Sequence, residues 1–456
     1  MTDQERTRRW VLGLTACASL MVALDALVVT TALATIEREL NAALDHLEWV
    51  VNAYLLAFAM LLMTGAALGD RFGRRRLFGL GIALFVAASI ACALAGTITA
   101  LIAARAVQGV GAALVMPTAM ALLTQGFPRE IRGRALGIFS GVTGLAVLSG
   151  PVIGGAIAAG IDWRWIFWLN LPIGAAVLLL GRRHLAESRG ADTALDLPGL
   201  VLISGAMLGV VWGLMRQDLE SLGGGAVLFA GFLVRQAMAA QPMMPLRLFA
   251  HGGFAAGLAV TLFLYAALHG AVFFMAQYLQ TGLGHGPFAA GLRLLPWTAT
   301  LFVTAPVAGR LVDRVGERPL IAAGLGLQAL GLGWIAATAR IGMPYAAMVA
   351  PLIVAGCGVS MAMPAVQNAV MSAVPAAAIG KASGIFNTLR QLGAALGVTL
   401  LAAVFAGHGD LGSAAGFVGG VGPALGLAAL LSFCGAVAGL ALPGRPRFTP
   451  AKEMSS

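Results

Sequence analysis

Apolar residues in this chain come in long runs, separated by short clusters of charge, proline or glycine, from residue 10 to residue 442. A helix needs about 20 apolar residues to cross a hydrocarbon core of ~30 Å. Lipid leaves no backbone group free to bond elsewhere, so helices are what such runs build. The pattern divides into spans near 10–36, 49–68, 77–96, 98–124, 135–160, 165–181, 197–215, 222–240, 252–280, 289–311, 320–339, 344–373, 382–407 and 420–442. That predicts an all-α membrane protein with fourteen transmembrane helices. The 222–240 span is the weakest, because the glycines at 223–225 and the Arg235–Gln236 pair interrupt it. The first run follows the charged MTDQERTRRW and continues to Glu37. A secretory leader has an apolar stretch of only ~7–15 residues, so this run predicts a first membrane helix.

Composition agrees. Only 11% of residues are charged and 59% are hydrophobic, with a mean hydropathy of +0.89. A soluble domain carries about 25% charged residues, which excludes a soluble enzyme or a disordered chain. The net charge of +10 could suggest a nucleic-acid partner, but its distribution says otherwise. With the N-terminus inside, 22 of the 29 basic residues fall on the inner side. That is the bias of cytoplasmic loops. The basic excess is therefore an orientation signal, predicting both termini in the cytoplasm of an inner-membrane protein and no nucleic-acid partner. Trp10, Trp49, Trp163, Trp165, Trp212 and Trp334 fall at span ends, where interfacial aromatics belong. Cys17, Cys92, Cys357 and Cys434 lie in apolar runs with no CxxC or Cys/His spacing, which indicates neither disulfides nor zinc.

The chain repeats itself. At an offset of 247, Gly111, Met116, Pro117 and Pro128 meet Gly358, Met363, Pro364 and Pro375, and GRALGIF (133–139) meets GKASGIF (380–386). At an offset of 243, GDRFGRRR (69–76) meets VDRVGERP (312–319). These pairings carry spans 4–5 onto 12–13, an offset of eight helices. Two six-helix halves, residues 1–190 and 246–456, are therefore separated by two extra helices within 191–245. Parallel repeats of this kind are one transporter plan, with substrate near the midplane between the halves.

Several motifs then carry a resemblance. GDRFGRRR after span 2 resembles the signature loop of the major facilitator superfamily, and RAVQGVGAA (105–113) resembles its second motif. SGPVIGG (149–155) resembles the Gly-Pro motif of its antiporters. LDALVVTTALATI (24–36) and DWRWIFWLNLPIG (162–174) resemble the fourteen-span drug:proton antiporters. Members commonly have Asn and Pro where this chain has Thr31 and Thr35. The resemblance implies the major facilitator fold. It also implies proton-coupled efflux of lipophilic or cationic drugs or other small molecules by alternating access. A proton-coupled symporter importing a small metabolite is the alternative with the same fold. Partners would be the small-molecule substrate, protons and the lipid bilayer. The chain would work as a monomer, without cofactor or metal, on the proton gradient.

Asp25 is the one acid inside a predicted span, about 18 Å from the end of its helix. A carboxylate at that depth costs ~2.5–3.5 kcal/mol and marks function by default, which makes Asp25 the proton-coupling candidate. Arg105, in span 4, is its natural partner, and the resemblance gives the matching arginine a role near proton transfer. Gln108 extends the same face one turn on. Gln277, Asn387 and Gln391, with Arg390 and His269, put polar groups in spans 9 and 13 and are candidates to line the substrate route. Gly69, Asp70, Arg71, Gly73, Arg74 and Arg75 form the signature loop, read by resemblance as a cytoplasmic latch. Asp70 is placed there to meet a helix N-terminus or an arginine. Gly150, Pro151, Gly154 and Gly155 form the antiporter motif, where proline loosens the helix and glycine permits close packing. No GxxxxGK[ST], HExxH or GxSxG occurs, and GLGLQALG (324–331) lies within a span, so nucleotide-driven and enzymatic readings fail on the sequence.

Overall fold

The computed structural model describes residues 3–190, 196–216, 218–239, 242, 244–250, 252–374, 379–411 and 413–443. All regular structure among them is helical. The first half comprises α1 (Asp3–Leu40), α2 (Leu44–Phe72), α3 (Arg74–Ala93), α4 (Ile98–Gly126), α5 (Arg129–Gly160) and α6 (Trp165–His184). Next come α7 (Leu197–Arg216) and α8 (Leu219–Met238). The second half comprises α9 (Gly252–Gly282), α10 (287–315), α11 (Glu317–Thr338), α12 (Tyr345–Ser372), α13 (Ile379–Ala406) and α14 (Ala414–Leu440). Among the described residues, thirteen helices are long and apolar enough to cross a membrane. The remaining one, α5, runs for 32 residues, about 48 Å at 1.5 Å per residue.

The helices begin where the chain offers caps and turn where it offers glycine. Thr97 Oγ1 accepts from Ala100 N at the start of α4, and Ser413 Oγ accepts from Gly416 N at the start of α14. The α2–α3 turn passes through Gly73 at φ +109°, and the α10–α11 turn through Gly316 at φ +83°. Both are conformations that a side chain resists. The 243-residue offset aligns these two glycines, so the repeat is built into the turns as well as the helices.

Packing obeys the same repeat. In the first half α1 lies on α5, α2 and α3 on α4, and α3 on α6; eight helices on, α9 lies on α13, α10 and α11 on α12, and α11 on α14. The halves meet as α2 against α13 and α10 against α5, pairs that a two-fold axis exchanges, with α1 touching α9. We call the face where α1 begins the terminal face and the other the opposite face. Near the opposite face the seam is tight. Asn52 Nδ2 donates to Thr399 Oγ1 at 2.8 Å between α2 and α13, and Gln280 Nε2 donates to the Thr31 carbonyl at 3.0 Å between α9 and α1. The α5–α10 contact is made by the segment Pro287–Arg293 at the start of α10.

Three expectations change here. First, the 222–240 span is a regular helix, shifted to Leu219–Met238. Its glycines let α8 approach α7, since a Cβ on Gly225 would come within 2.8 Å of Val210 N. Its Arg235–Gln236 pair sits in the last turn of the helix, at the terminal face. Arg235 Nε and Gln236 Nε2 there bind the Asp196 carboxylate at 3.1 and 2.7 Å. Second, Trp163 is no lipid-facing anchor: it is fully buried, with Nε1 donating to Glu39 Oε2 at 2.8 Å. Third, Asp25 is not the only acid enclosed by a span helix. α2 begins five residues before its predicted span and buries Glu48 to 5% exposure.

Candidate functional site

Five helices of the first half bring their polar side chains to one point. Asp25 comes from α1, Tyr54 from α2, Ser89 and Cys92 from α3, Arg105 and Gln108 from α4, and Asn170 from α6. The i, i+3 spacing on α4 sets Arg105 and Gln108 side by side, with Arg105 Nη1 donating to Gln108 Oε1 at 2.7 Å. Arg105 Nη1 also binds Asp25 Oδ2 directly, as hydrogen bond and ion pair. Asp25 Oδ1 accepts from Gln108 Nε2 and from Asn170 Nδ2, each at 2.9 Å. Ser89 Oγ accepts from the same two amides, at 2.7 and 3.0 Å. Both oxygens of the carboxylate therefore have donors.

The arginine is held on every side. Its Nε donates to the Val50 carbonyl at 3.1 Å, and its Cζ lies 4.3 Å from the Tyr54 ring centroid. Tyr54 in turn donates to the Val22 carbonyl of α1 at 3.0 Å, one turn before Asp25. Asp25 is 2% exposed and Arg105 1%. A buried ion pair repays its desolvation only when such extra hydrogen bonds satisfy it. Removing one partner of such a pair costs ~3–5 kcal/mol, because the other is left charged and alone. The cluster is thus stable when closed and sensitive to the loss of either charged partner.

α1 carries this cluster to the seam. Gly150 and Gly154 of α5 pack on Leu27, Val28 and Thr31, one to two turns past Asp25, and a Cβ on Gly154 would collide with the Val28 carbonyl. Gly155 faces the other way: a Cβ there would collide with the Pro287 carbonyl of α10. Gly291 of α10 meets the Pro151 carbonyl in the same manner. The predicted antiporter motif therefore lies between α1 and α10, with Gly154 and Gly155 as points of backbone contact and Gly150 against the Leu27 side chain.

The signature loop is locked within its own half. Asp70 Oδ1 accepts from Arg74 Nε at 2.8 Å, with Nη2 at 2.6 Å, so the arginine is the partner and not a helix N-terminus. The strap after α6 closes over the loop: Arg74 N donates to the Ser188 carbonyl at 2.8 Å, and Gly190 N donates to the Asp70 carbonyl at 3.0 Å. Glu187 Oε1 accepts from Arg75 N at 3.0 Å and so caps the start of α3, where the helix dipole favours an anion. Gly69 packs on Thr118 of α4, and Arg71 Cζ lies 5.4 Å from the Phe72 ring. In the degenerate copy, Glu317 Oε1 accepts from Asn368 Nδ2 at 2.7 Å; the Asp313 side chain lies outside the described residues.

The candidate substrate contacts separate. Gln108 belongs to the Asp25 cluster. Gln277 is fully buried on α9, one turn before the seam residue Gln280. Its Nε2 reaches the Phe273 carbonyl at 3.4 Å and its Oε1 has no partner. Asn387, Arg390 and Gln391 lie on α13 beside α2 and α9. Asn387 Nδ2 donates to the Ser383 carbonyl at 2.9 Å, and Arg390 Cζ stands 5.7 Å from the Tyr265 ring. His269 Nδ1 bonds the Tyr265 carbonyl of its own helix at 3.2 Å.

Sequence reasoning missed Asn170, Ser89 and Tyr54 as members of the cluster. Asn170 had a signal: it is a bare amide in an otherwise apolar helix, the same argument that singled out Asp25. Ser89 had none, because serine is common in membrane helices.

Three comparisons bear on this arrangement. The sequence model of the Major Facilitator Superfamily matches residues 15–398. The "Tetracenomycin C resistance and export protein" of Streptomyces glaucescens is 36% identical over 420 residues, 89% of this chain and 78% of that protein. The "Cephamycin export protein CmcT" of Amycolatopsis lactamdurans is 35% identical over 466 residues, 98% of this chain and 95% of that protein. Among solved structures, an auto-inhibited POT family peptide transporter shares the fold, with a TM-score of 0.71 at 16% identity over 95% of this chain and 96% of that one.

Proposed function

The chain belongs to the Major Facilitator Superfamily, and from that membership we propose that it is a proton-driven exporter of small lipophilic molecules, with Asp25 as the proton carrier. The observation that carries the proposal is the buried Asp25–Arg105–Gln108–Asn170 cluster and its position on α1, one to two turns from the seam. The relatives' names supply the direction: both are export proteins. We place the terminal face in the cytoplasm, on the strength of its basic residues.

In the described state the seam is closed near the opposite face and the Asp25 carboxyl sits within its three donors. Once the opposite face has opened with substrate bound, a proton arriving at Asp25 from outside removes the negative partner of Arg105. Arg105 then keeps the Val50 carbonyl, Gln108 and the Tyr54 ring, but loses the one carboxylate paired with it among the described residues. The α1–α4 contact weakens, and α1 carries the change through Leu27, Val28 and Thr31 to α5 and α9. Substrate leaves to the outside in that state, and return with the proton, which is then lost to the cytoplasm, gives one exchange per cycle. A ligand shifts such an equilibrium only by its different affinity for the two states, and the ion pair supplies that difference for the proton.

The test uses proteoliposomes with an imposed pH gradient and a compound panel that includes tetracenomycin C and a cephamycin. Wild type should move at least one compound against its concentration gradient. Asp25→Asn, which mimics the neutral acid, should abolish gradient-driven transport while the purified protein melts normally. Unchanged gradient-driven transport by the variant would remove Asp25 from the mechanism. Transport in the direction of proton flow would replace export by import.

A further inference from the structure

Arg390 is a guanidinium without a carboxylate. It sits on α13, eleven residues from the helix start at Ile379, about 17 Å into the span. Among the described residues no Asp or Glu lies within 4.0 Å of it, and the other deep charges, Asp25 and Arg105, are closed on each other. The acids of residues 246–456 are Asp313, Glu317, Asp410 and Glu453; the three among the described residues lie at helix ends or between helices. The second half therefore has one deep cation and no deep anion.

Its neighbours do not supply the missing charge. On α9, Tyr265 presents its ring at 5.7 Å, and His269 lies within the field of the guanidinium. Across the seam on α2, Tyr54 is also within that field. On its own helix Asn387 stands one turn earlier. These groups are donors or neutral, and all lie on α2, α9 and α13, the helices that meet between the halves. Charged groups at this depth face a cavity or a partner, and arginine's planar fork matches a carboxylate.

Resting on the export reading, we propose that Arg390 is the anion subsite of the transport route, and that the substrates are lipophilic molecules bearing a carboxylate or an equivalent acidic group. Tyr265 and Asn387 complete the subsite as neutral donors. A cationic drug would meet a like charge here, with no acid deep in a span of the second half to offset it.

The experiment measures binding, not turnover, so it stands apart from proton coupling. Purified full-length protein is titrated by equilibrium dialysis with tritiated 1-naphthaleneacetate, its methyl ester and 1-naphthylethylamine, which share one apolar body. The carboxylate should bind at least tenfold tighter than the ester or the amine. Arg390→Gln should remove that preference, and Arg390→Lys, which keeps the charge but not the fork, should keep only part of it. In wild-type protein the carboxylate, but not the amine, should protect Arg390 from phenylglyoxal, read by peptide mass spectrometry; this arm holds even if R390Q does not fold. Equal binding of the three probes, no binding of any, preference for the amine, or a preference that survives R390Q overturns the proposal. If the preference is intact but gradient-driven transport is missing, only the export reading fails.

Discussion

Gly155→Val tests the seam most directly. A Cβ on Gly155 would collide with the Pro287 carbonyl oxygen, and would lie 2.8 Å from its carbonyl carbon and 3.0 Å from Phe288 Cα. These are backbone atoms at the start of a helix, so no rotamer change can relieve the overlap. Overpacking a close contact costs ~1–3 kcal/mol. The contact exists only while α5 and α10 touch, so that cost falls on the state closed at the opposite face. At 1.4 kcal/mol per tenfold, the equilibrium should move about 5- to 140-fold toward the state open there. The reporter is Thr31→Cys, which is fully buried under Gly154 in the described state, in a background with Cys17, Cys92, Cys357 and Cys434 replaced by alanine. An impermeant maleimide added from the opposite face should label it about 5- to 140-fold faster when Gly155→Val is present. Export should fall at least fivefold, because the return to the described state becomes the hard step. Labelling and export both within twofold of the parent would refute the reasoning.

Two further changes probe the devices at the terminal face. Gly73→Ala places a side chain at φ +109° and presses it on Glu187 Cδ at 2.9 Å; it should cost about 1–3 kcal/mol, read as a lower melting temperature of the purified protein. Burial alone would raise the Asp196 carboxyl, but hydrogen bonds from Gly199 N, Gln236 and Arg235 outweigh it and hold the group below the usual carboxylate range. A depressed carboxyl stabilises the fold above its ordinary value of ~3.9 and loses that contribution as pH falls through the lowered value. The melting difference between wild type and Asp196→Asn should thus be constant near neutrality and shrink below about pH 4; a difference that grows with acid would reverse the sign.

The fold was legible because lipid makes charge rare. Asp25 and Arg105 stood out as breaks in apolar runs, and the structure joins them. The two aligned motifs at 69–76 and 312–319 carried the repeat far enough to place the inserted helices. What stayed hidden was decided by distance along the chain or by window edges. Glu48 fell one residue outside its predicted span, although α2 extends past it and buries it. The α3 cap, Glu187, lies more than a hundred residues from the helix start it closes. Trp163 read as an interfacial anchor because tryptophan at a span end usually is one; Glu39, brought over it by α1, makes it a buried donor instead. Arg235 and Gln236 weakened a helix on paper because hydropathy cannot know that Asp196 is waiting beside them.

The inserted pair has a mechanical consequence. α7 packs on α2 from one half and on α13 from the other, with Trp212 tilted against Trp49 at 5.8 Å. Among the described residues no inserted helix packs on the equivalent seam, α5 against α10. A two-fold molecule has thereby been given a hinge side and an open side. When the halves move, α7 must either slide on one of its two supports or travel with the other. In a bilayer the uncovered seam is the one lipid tails would reach, so the thickness and fluidity of the bilayer would act on the two halves from that flank.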